Sequence, residues 1–479
     1  MKTLRMAAVL AMLLAILAPL TWAAAAAAPP KAAPGAARPV PAATRPAATA
    51  PAAPTAAPAD LIKVADEVAK DVEELRGWKF KQPVKKQLVT EEQARAWVEK
   101  EIAKQAPPDL ITRKQAFLRM VGLLPPDCDL KQTLVTLLQG QIAGYYDSDD
   151  KTLSLVNRTN MPRAGLVERI MLSHELTHAL DDQYADLGKF VKEYGNKSED
   201  GDLVVASVFE GSATAEMMRY APRLQMTGQF DLSELMEYAK EEEGRNHAFL
   251  EAPRYFSVML ATYMCGMSFL ARGNFASLLM GEKDVGDDFL AAVKNPPRST
   301  KQILHPEKYW DPAKRDEPVL VADDDVKKML AGGGRFVVHA DTLGEMLCAI
   351  LTAPKDAKPD IMSMATSAYW TNTAAAAWGG DRFYLLAAGT NADEAAKSLK
   401  DLRGLWITLW DTPKGRDDSV QAIDANSPNP ARASMKWGSQ GAVFFFGFTD
   451  AERKDIEAKL QKSPPKMTRD GKPWAPWTM

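Results

Sequence analysis

The chain has 479 residues and a nearly balanced charge, with 62 acidic and 59 basic side chains and a formal charge of −3. Five of the basic residues lie within the first 58 positions, so removing them takes the charge from −3 to −8, which argues against a nucleic-acid partner. The three cysteines are odd in number and widely spaced, which excludes a framework of disulfides, and their spacing fits no metal site.

The N-terminus has the pattern of a secretory signal. A charged start, MKTLR, precedes an apolar run from Met6 to Leu20, and small residues follow it. We assign residues 1–24 to a signal peptide, with cleavage near Ala23 to Ala28. The apolar run is too short for a comfortable membrane span. We therefore expect a secreted or periplasmic protein that has no stable membrane insertion after cleavage.

Beyond the signal, the composition predicts a linker followed by two domains. Residues 25–58 are almost wholly Ala, Pro and Thr, which bury too little apolar surface to offset chain entropy, so we predict a disordered linker. We predict a helical domain over residues 59–295 and a smaller α+β domain over residues 296–479. The expected fold class is α+β and mostly helical.

Periodicity places the elements within these domains. We predict three or four helices between residues 60 and 138, then a hairpin of two strands that turns around Asp147 to Asp150. Helices follow over residues 163–184 and 203–220, with more helices to about Met280. In the second domain the strand-like runs are RFVVHA, DRFYLLAAG, LWITLWDT and GAVFFFGF.

Residues 173–183 read SHELTHALDDQ and contain two of the five histidines of the chain. On a helix, His174 and His178 lie on one face with Cβ atoms about 5 to 6 Å apart, so both imidazoles can bind one Zn²⁺. Glu175 lies roughly 100° further round the helix, where it can accept a proton from water at the metal. The alternative is a pair of core histidines, each hydrogen-bonded to a neighbour.

A catalytic zinc keeps three protein ligands, so a third ligand is required. Glu210 is the candidate, because a lone carboxylate within the apolar run VVASVFEGSATAEMM is costly to bury unless it is paired or binds a metal. Glu216 competes for this role, but its six-residue offset from Glu210 places it on a different helix face. The alternative for Glu210 is an ordinary charge near a helix N-terminus.

Over about residues 140–216 the sequence resembles the gluzincin metallopeptidases, the thermolysin-like zincins in which HExxH and a downstream glutamate hold zinc. The resemblance implies a zincin-like catalytic domain with an edge-strand hairpin and an active-site helix. It also implies one Zn²⁺ per chain, held by His174, His178 and Glu210, with Glu175 as the general base. The metzincin pattern does not fit, since positions 181 and 184 are aspartate and tyrosine.

One departure from the gluzincins concerns the hydrogen-bond partner of a ligating histidine. Thermolysin-type enzymes carry an aspartate four residues after the ligand glutamate, whereas this chain has Thr214 there. The candidates for the partner are therefore Asp181, Asp182 and Thr214.

The hairpin before the motif fits the same resemblance, because zincins bind the substrate backbone along an edge strand beside the active helix. GQIAGYYD is the better candidate for that edge, since Gly140 and Gly144 would let a peptide approach closely. Tyr145 and Tyr146 are more readily explained as core or rim aromatics than as oxyanion donors.

Two further segments, RSTKQILHPEKYWDP and WGGDRF, resemble stretches of uncharacterised bacterial secreted proteins that combine them with HELTHA. His305 and Tyr309 in the first segment are of the residue types that zincins use to stabilise the tetrahedral oxyanion. We therefore name both as catalytic candidates. The alternative for His305 is a structural histidine at a helix end before Pro306.

These features lead us to expect a secreted zinc peptidase, with a peptide or protein substrate and no nucleic-acid partner. Two alternatives stay open. One is a binding protein on a decayed zincin fold that uses its tryptophan-rich C-terminal part as the working surface. The other is a zinc hydrolase that cleaves a non-peptide amide.

Overall fold

A computed structural model describes residues 58–139, 144–157, 165–195, 197–228, 234, 251–281, 283–355, 361–364, 366–426, 429 and 432–476. The predicted signal peptide and almost all of the predicted linker lie outside the described residues, as do Gly140 and His247.

The first part of the chain is built from helices around one small sheet. It begins with α1 (Pro58–Arg76), β1 (Lys85–Val89), α2 (Glu91–Gln105), α3 (Pro108–Val121), α4 (Leu130–Gln139), β2 (Gly144–Asp147) and β3 (Thr152–Val156). It continues with α5 (Leu166–Ala185), α6 (Leu187–Tyr194), α7 (Glu199–Met226), α8 (Arg254–Leu270), α9 (Phe275–Leu279) and α10 (Gly286–Lys294). The helices predicted over residues 163–184 and 203–220 correspond to α5 and α7, and α7 is longer than predicted at both ends.

The small sheet has the strand order β1-β3-β2, with β1 parallel and β2 antiparallel to β3. The predicted hairpin is confirmed, because β2 pairs with β3 from Gly144 opposite Leu155 to Asp147 opposite Thr152. Within the described residues β2 is an edge strand. Strand β1 was not predicted, since KKQLV has only two apolar residues and its partner lies far along the chain.

Helices α5, α7 and α8 form the centre of the helical body. Helix α7 packs against both α5 and α8. At the crossing of α7 and α8, a Cβ added to Gly211 would lie 2.2 Å from the carbonyl carbon of Gly266. A Cβ added to Gly266 would lie 2.0 Å from the carbonyl oxygen of Ser207. The two backbones are therefore in direct contact, which the absence of a side chain at both glycines allows.

The second part of the chain alternates helices and strands. Its first elements are α11 (Thr300–Leu304), α12 (Glu307–Trp310), β4 (Val319–Val321), α13 (Asp323–Leu330), β5 (Arg335–Asp341), α14 (Gly344–Thr352), α15 (Ile361–Met364) and a 3₁₀ turn (Ser367–Trp370). The remaining elements are β6 (Trp378–Ala388), α16 (Ala392–Ser398), β7 (Lys400–Trp410), α17 (Pro413–Asn426), β8 (Arg432–Trp437), β9 (Gly441–Phe446), α18 (Asp450–Lys462), β10 (Met467–Arg469) and β11 (Lys472–Trp474). The four predicted strands correspond to β5, β6, β7 and β9, and the fold class is α+β, as predicted.

A five-stranded antiparallel sheet, in the order β5-β6-β7-β9-β8, lies between two apolar cores. Phe383 and Trp406 project into the core of the helical body. Their neighbours Tyr384 and Ile407 project into a second core, which α13 and α18 cover. Both faces of the sheet are buried, and this is why β6 and β7 have few polar residues to mark an alternation.

The larger core contains residues of both predicted domains, from Leu61 of α1 to Phe446 of β9. The boundary predicted between residues 295 and 296 is therefore not marked by a break in the apolar core. A small sheet with the order β11-β10-β4 completes the second part.

Five tryptophans of the second part are core residues rather than surface residues. Trp370, Trp378, Trp406, Trp410 and Trp437 are each at most 3% exposed.

Among the residues that the structure describes, no helix combines the length and apolar character that crossing a membrane requires.

Candidate metal centre

The two motif histidines lie in the buried middle of α5. Their spacing of four residues puts both rings on one helix face, and the Nε2 atoms are 3.1 Å apart. Ser173 and Thr177, which precede them, direct their hydroxyls to the carbonyl oxygens of Ile170 and Ser173. Both hydroxyls are therefore satisfied within the helix.

Glu210 reaches the same point from α7. Its Oε2 lies 3.2 Å from Nε2 of His174 and 3.4 Å from Nε2 of His178. All three side chains are at most 1% exposed. Three ligand-type atoms from two helices thus form a nearly equilateral triangle.

The triangle fits a tetrahedral metal ion. Ligand atoms bonded to Zn²⁺ at about 2.0 to 2.2 Å in a tetrahedron are about 3.3 Å apart, close to the three observed separations. This is the one group of His, Cys, Asp and Glu side chains with metal-site spacing among the described residues. Two imidazole nitrogens and a carboxylate oxygen are also ligand types that Zn²⁺ accepts.

The charge state of Glu210 suits the same role. Burial alone would raise its pKa, but the charge of His178 and hydrogen bonds from His174 and His178 lower the pKa to about 2. The carboxylate is therefore ionised at neutral pH, which is the state that binds a cation.

Glu216, the competing carboxylate, faces elsewhere. Its Oε2 lies 3.5 Å from Nη1 of Arg76 and 3.2 Å from Nη1 of Arg219. Arg76 also bonds to Asp181 and Ser212, so this buried network ties α1 to α5 and α7. The six-residue offset therefore separates the two carboxylates as the sequence predicted, and Glu210 is the one beside the histidines.

Glu175 belongs to the motif helix α5, and its side chain contacts the edge strand β2. Its Oε2 accepts a hydrogen bond from the backbone N–H of Tyr146, at 2.9 Å, and the side chain is 8% exposed. The structure thus places the predicted base beside the predicted substrate strand. Tyr145 and Tyr146 are buried, in agreement with their interpretation as core aromatics. Tyr145 stacks on Trp97 with ring centroids 3.9 Å apart.

The candidates for the hydrogen-bond partner of a ligating histidine have other contacts. Asp181 accepts from Arg76 at 2.6 Å. Asp182 accepts from the hydroxyl of Tyr146 and from Leu187 N–H. Among the described residues, neither Nδ1 of His174 nor Oγ1 of Thr214 has a hydrogen-bond partner. The sequence did not identify this partner, and none of its three candidates fills the role here.

His305 and Tyr309 have hydrogen-bond partners outside the group formed by His174, His178 and Glu210. The imidazole of His305 pairs with the buried Glu345 of α14, with Nε2 2.8 Å from Oε1. The hydroxyl of Tyr309 donates to the carbonyl oxygen of Asn295, and its ring packs against Phe269. Because these polar atoms are committed to other partners, the structure gives no support to the oxyanion role predicted for either residue.

The segments RSTKQILHPEKYWDP and WGGDRF meet at the N-terminal end of α7. The backbone N–H and hydroxyl of Thr300 both donate to the buried Asp200 of α7, at 2.9 and 2.6 Å. Lys301 donates to the carbonyl oxygen of Trp378 at 2.7 Å. Asp381 accepts from the N–H groups of Leu343 and Gly344, which begin α14. In the structure these segments anchor the helix that carries Glu210.

Tyr263 is a residue of the site that the sequence did not suggest. Its ring lies 5.7 Å from the ring of His174, with the planes inclined by 21°, and it belongs to α8. The surrounding sequence, LATYMCGM, is apolar throughout, so nothing in it separates Tyr263 from an ordinary core aromatic.

Comparisons with known proteins found no relative: no family model, no curated protein and no solved structure matches this chain. The resemblance to gluzincins therefore depends on the motif residues alone.

Proposed function

We propose that this chain is a metal-dependent peptidase with one Zn²⁺ site formed by His174, His178 and Glu210. The observation that carries the proposal is the triangle of Nε2, Nε2 and Oε2 atoms, whose sides of 3.1 to 3.4 Å match tetrahedral ligand spacing. Two core histidines need only one hydrogen-bond partner each, whereas here a single carboxylate oxygen lies 3.2 and 3.4 Å from the Nε2 atoms of both rings, which are themselves 3.1 Å apart.

Each residue of the site has a chemical task. The two imidazoles and the carboxylate hold the cation, which when bound supplies Lewis acidity and makes water more acidic. Glu175, one residue after the first ligand, accepts the proton of the attacking water and delivers it to the leaving amine. The N–H of Tyr146 orients the Glu175 carboxylate for that transfer.

The substrate class follows from the strand beside the base. Strand β2 is an edge strand, and an extended peptide can pair with such an edge through its main chain. We infer that the substrate is a peptide or an unfolded protein segment. The secreted or periplasmic location rests on the sequence of residues 1–24.

The binding-protein alternative would use the tryptophans of the second part as its binding surface. Five of these tryptophans are buried in the sheet and its cores, which argues against that use. A decayed site would also need no carboxylate at position 175. The hydrolase of a non-peptide amide has no structural observation in its favour, and it becomes one outcome of the test.

The test compares wild-type protein and the Glu175→Gln variant on fluorescein-labelled casein. Glutamine keeps the shape of the side chain but cannot accept the proton, so we expect cleavage to fall by roughly 10²- to 10⁴-fold while zinc content stays at one per chain. Elemental analysis measures the zinc, and a chelator is the second control for activity.

Three results would contradict the proposal. If the His174→Ala/His178→Ala variant retained its zinc in full, the assignment of the metal site would be wrong. If wild type and Glu175→Gln cleaved casein equally, the assignment of Glu175 as the base would be wrong. Intact casein and intact peptide libraries in the presence of bound zinc would exclude a peptidase and leave the non-peptide amidase.

A further inference from the structure

Tyr146 is bound to the motif helix at two separate points. Its backbone N–H donates to Oε2 of Glu175 at 2.9 Å. Its hydroxyl donates to Oδ2 of Asp182 at 2.7 Å. A residue of the edge strand thus contacts both the proposed base and an aspartate seven residues further along α5.

The distance between the two contacts determines how firmly β2 is held against α5. Residues seven apart on a helix lie on nearly the same face and about 10 Å apart along the axis. One contact would let the strand pivot or slide along α5. Two contacts by a single residue, one through its main chain and one through its side chain, fix both the position and the tilt of β2 against the helix.

The far contact is strongly held. Asp182 is buried, and Lys151 of the hairpin turn donates to the same Oδ2 at 2.7 Å. Oδ1 of Asp182 accepts from the N–H of Leu187, where α6 begins. Burial and the neighbouring Asp182 both raise the pKa of Tyr146, so its hydroxyl keeps its proton around neutral pH.

The near contact acts on the base itself. In an antiparallel pair, neighbouring residues direct their N–H groups alternately toward and away from the partner strand. The N–H groups of Tyr145 and Asp147 therefore point toward β3, and the N–H of Tyr146 points away from β3, at the outer edge of the strand, where it donates to Glu175. The outer side of β2, which the proposed function assigns to the substrate, is thereby connected directly to the general base.

We propose that Tyr146, supported by Asp182 and Lys151, is a positioning residue that sets the register between the substrate strand and Glu175. This inference rests on the proposed function and deepens it, because it names the group that determines where a bound peptide lies relative to the base. A misplacement of about 1 Å can cost on the order of 100-fold in rate, so a rigid connection that fixes this register preserves the rate.

The first experiment measures kcat and KM on labelled casein for Tyr146→Phe, which removes only the hydroxyl. We expect zinc content to be unchanged and kcat to fall about 10- to 100-fold, a larger change than that in KM. In an Asp182→Asn background the same substitution should have little further effect, because the two groups act together.

The matched control is Tyr184→Phe. This tyrosine lies in α5 itself, and its hydroxyl likewise donates to a residue far along the chain, here to the main-chain oxygen of Lys79 at 2.9 Å. We expect it to leave kcat unchanged. A merely structural Tyr146 would lower the melting temperature and leave kcat at 25 °C at the wild-type value, and that result would overturn the proposal.

The second experiment needs no activity, so it separates failure of this inference from failure of the proposed function. Protein labelled with ¹⁵N-tyrosine reports amide hydrogen exchange at positions 145 and 146 by NMR. In Asp182→Asn we expect exchange at Tyr146 to accelerate at least tenfold while Tyr145, bonded within the hairpin, keeps its wild-type rate. Equal protection of the Tyr146 amide in both proteins would refute the two-point attachment even if casein is cleaved. Faster exchange with intact casein would instead retain the attachment and reject the peptidase.

Discussion

In the middle of helix α7, the buried carboxylates of Glu210 and Glu216 lie six residues apart and have opposite surroundings. Both are at most 1% exposed. Burial tends to raise the pKa of Glu210, but the two histidines outweigh it and lower the pKa to about 2. Burial raises the pKa of Glu216 to about 7, since the attraction of Arg76 and Arg219 is offset by the nearby Asp284 and Asp181.

The difference shows that the kind of partner, and not the depth of burial, decides what a buried carboxylate can do. The partners of Glu216 are guanidinium groups, which are themselves the cations and cannot bind another. The partners of Glu210 are imidazoles, which can present lone pairs to a cation when neutral. The environment of Glu216 is closed by protein groups, whereas we propose that a metal ion completes the environment of Glu210.

The largest effect is expected from removing the cation at the centre of the closed network. Arg76→Met leaves Asp181 and Glu216 buried without their main partner, so the free energy of unfolding should fall by about 3–5 kcal/mol. Urea denaturation measures it. The control is Arg223→Met, a partly exposed pair with Asp71 that should cost less than about 1 kcal/mol. Equal losses would mean that burial does not distinguish the two pairs.

The next effect separates the two carboxylates by metal affinity. Glu210→Gln removes a proposed ligand and should weaken zinc binding by more than the roughly 10- to 100-fold that loss of an outer hydrogen-bond partner costs. Glu216→Gln is the matched control and should keep wild-type affinity. Competition with a fluorescent zinc chelator measures both. If Glu216→Gln were the variant that loses zinc, the assignment of the ligand would be reversed.

The smallest effect concerns pH. A carboxyl whose pKa is raised on folding stabilises the protein below its unfolded pKa, and that contribution is lost as pH rises through the folded value of about 7. Wild type should therefore lose stability relative to Glu216→Gln between pH 5 and pH 8, by on the order of 2 kcal/mol. Urea midpoints at both pH values measure the difference. A constant difference across this range would show that Glu216 is ionised throughout.

The sequence was informative where the chemistry was local. His174, Glu175 and His178 follow from helical spacing, and the offset between Glu210 and Glu216 follows from the same geometry. The hairpin could be predicted from the sequence because its two strands and turn are adjacent along the chain. Strand β1 could not be predicted, because it pairs with β3, which lies far along the chain.

The remaining parts of the site depend on contacts that spacing cannot reveal. Arg76 meets Asp181 across 105 residues, and Tyr263 meets His174 from a different helix. His305 and Tyr309 have residue types suited to catalysis, but residue type does not state which neighbour a side chain will meet. In both cases the neighbour turned out to be a structural group, Glu345 and a main-chain oxygen.

The apolar core that crosses position 295 has a consequence for how the molecule unfolds. Phe383 and Trp406 of the sheet share that core with Leu61 and Val208 of the helical body, so one face of the sheet is buried only when both parts are folded together. We expect a single cooperative transition rather than two, with coincident loss of tryptophan fluorescence and helical circular dichroism. Cutting the chain after Asn295 should give two insoluble fragments, since each would expose the face that the other covers.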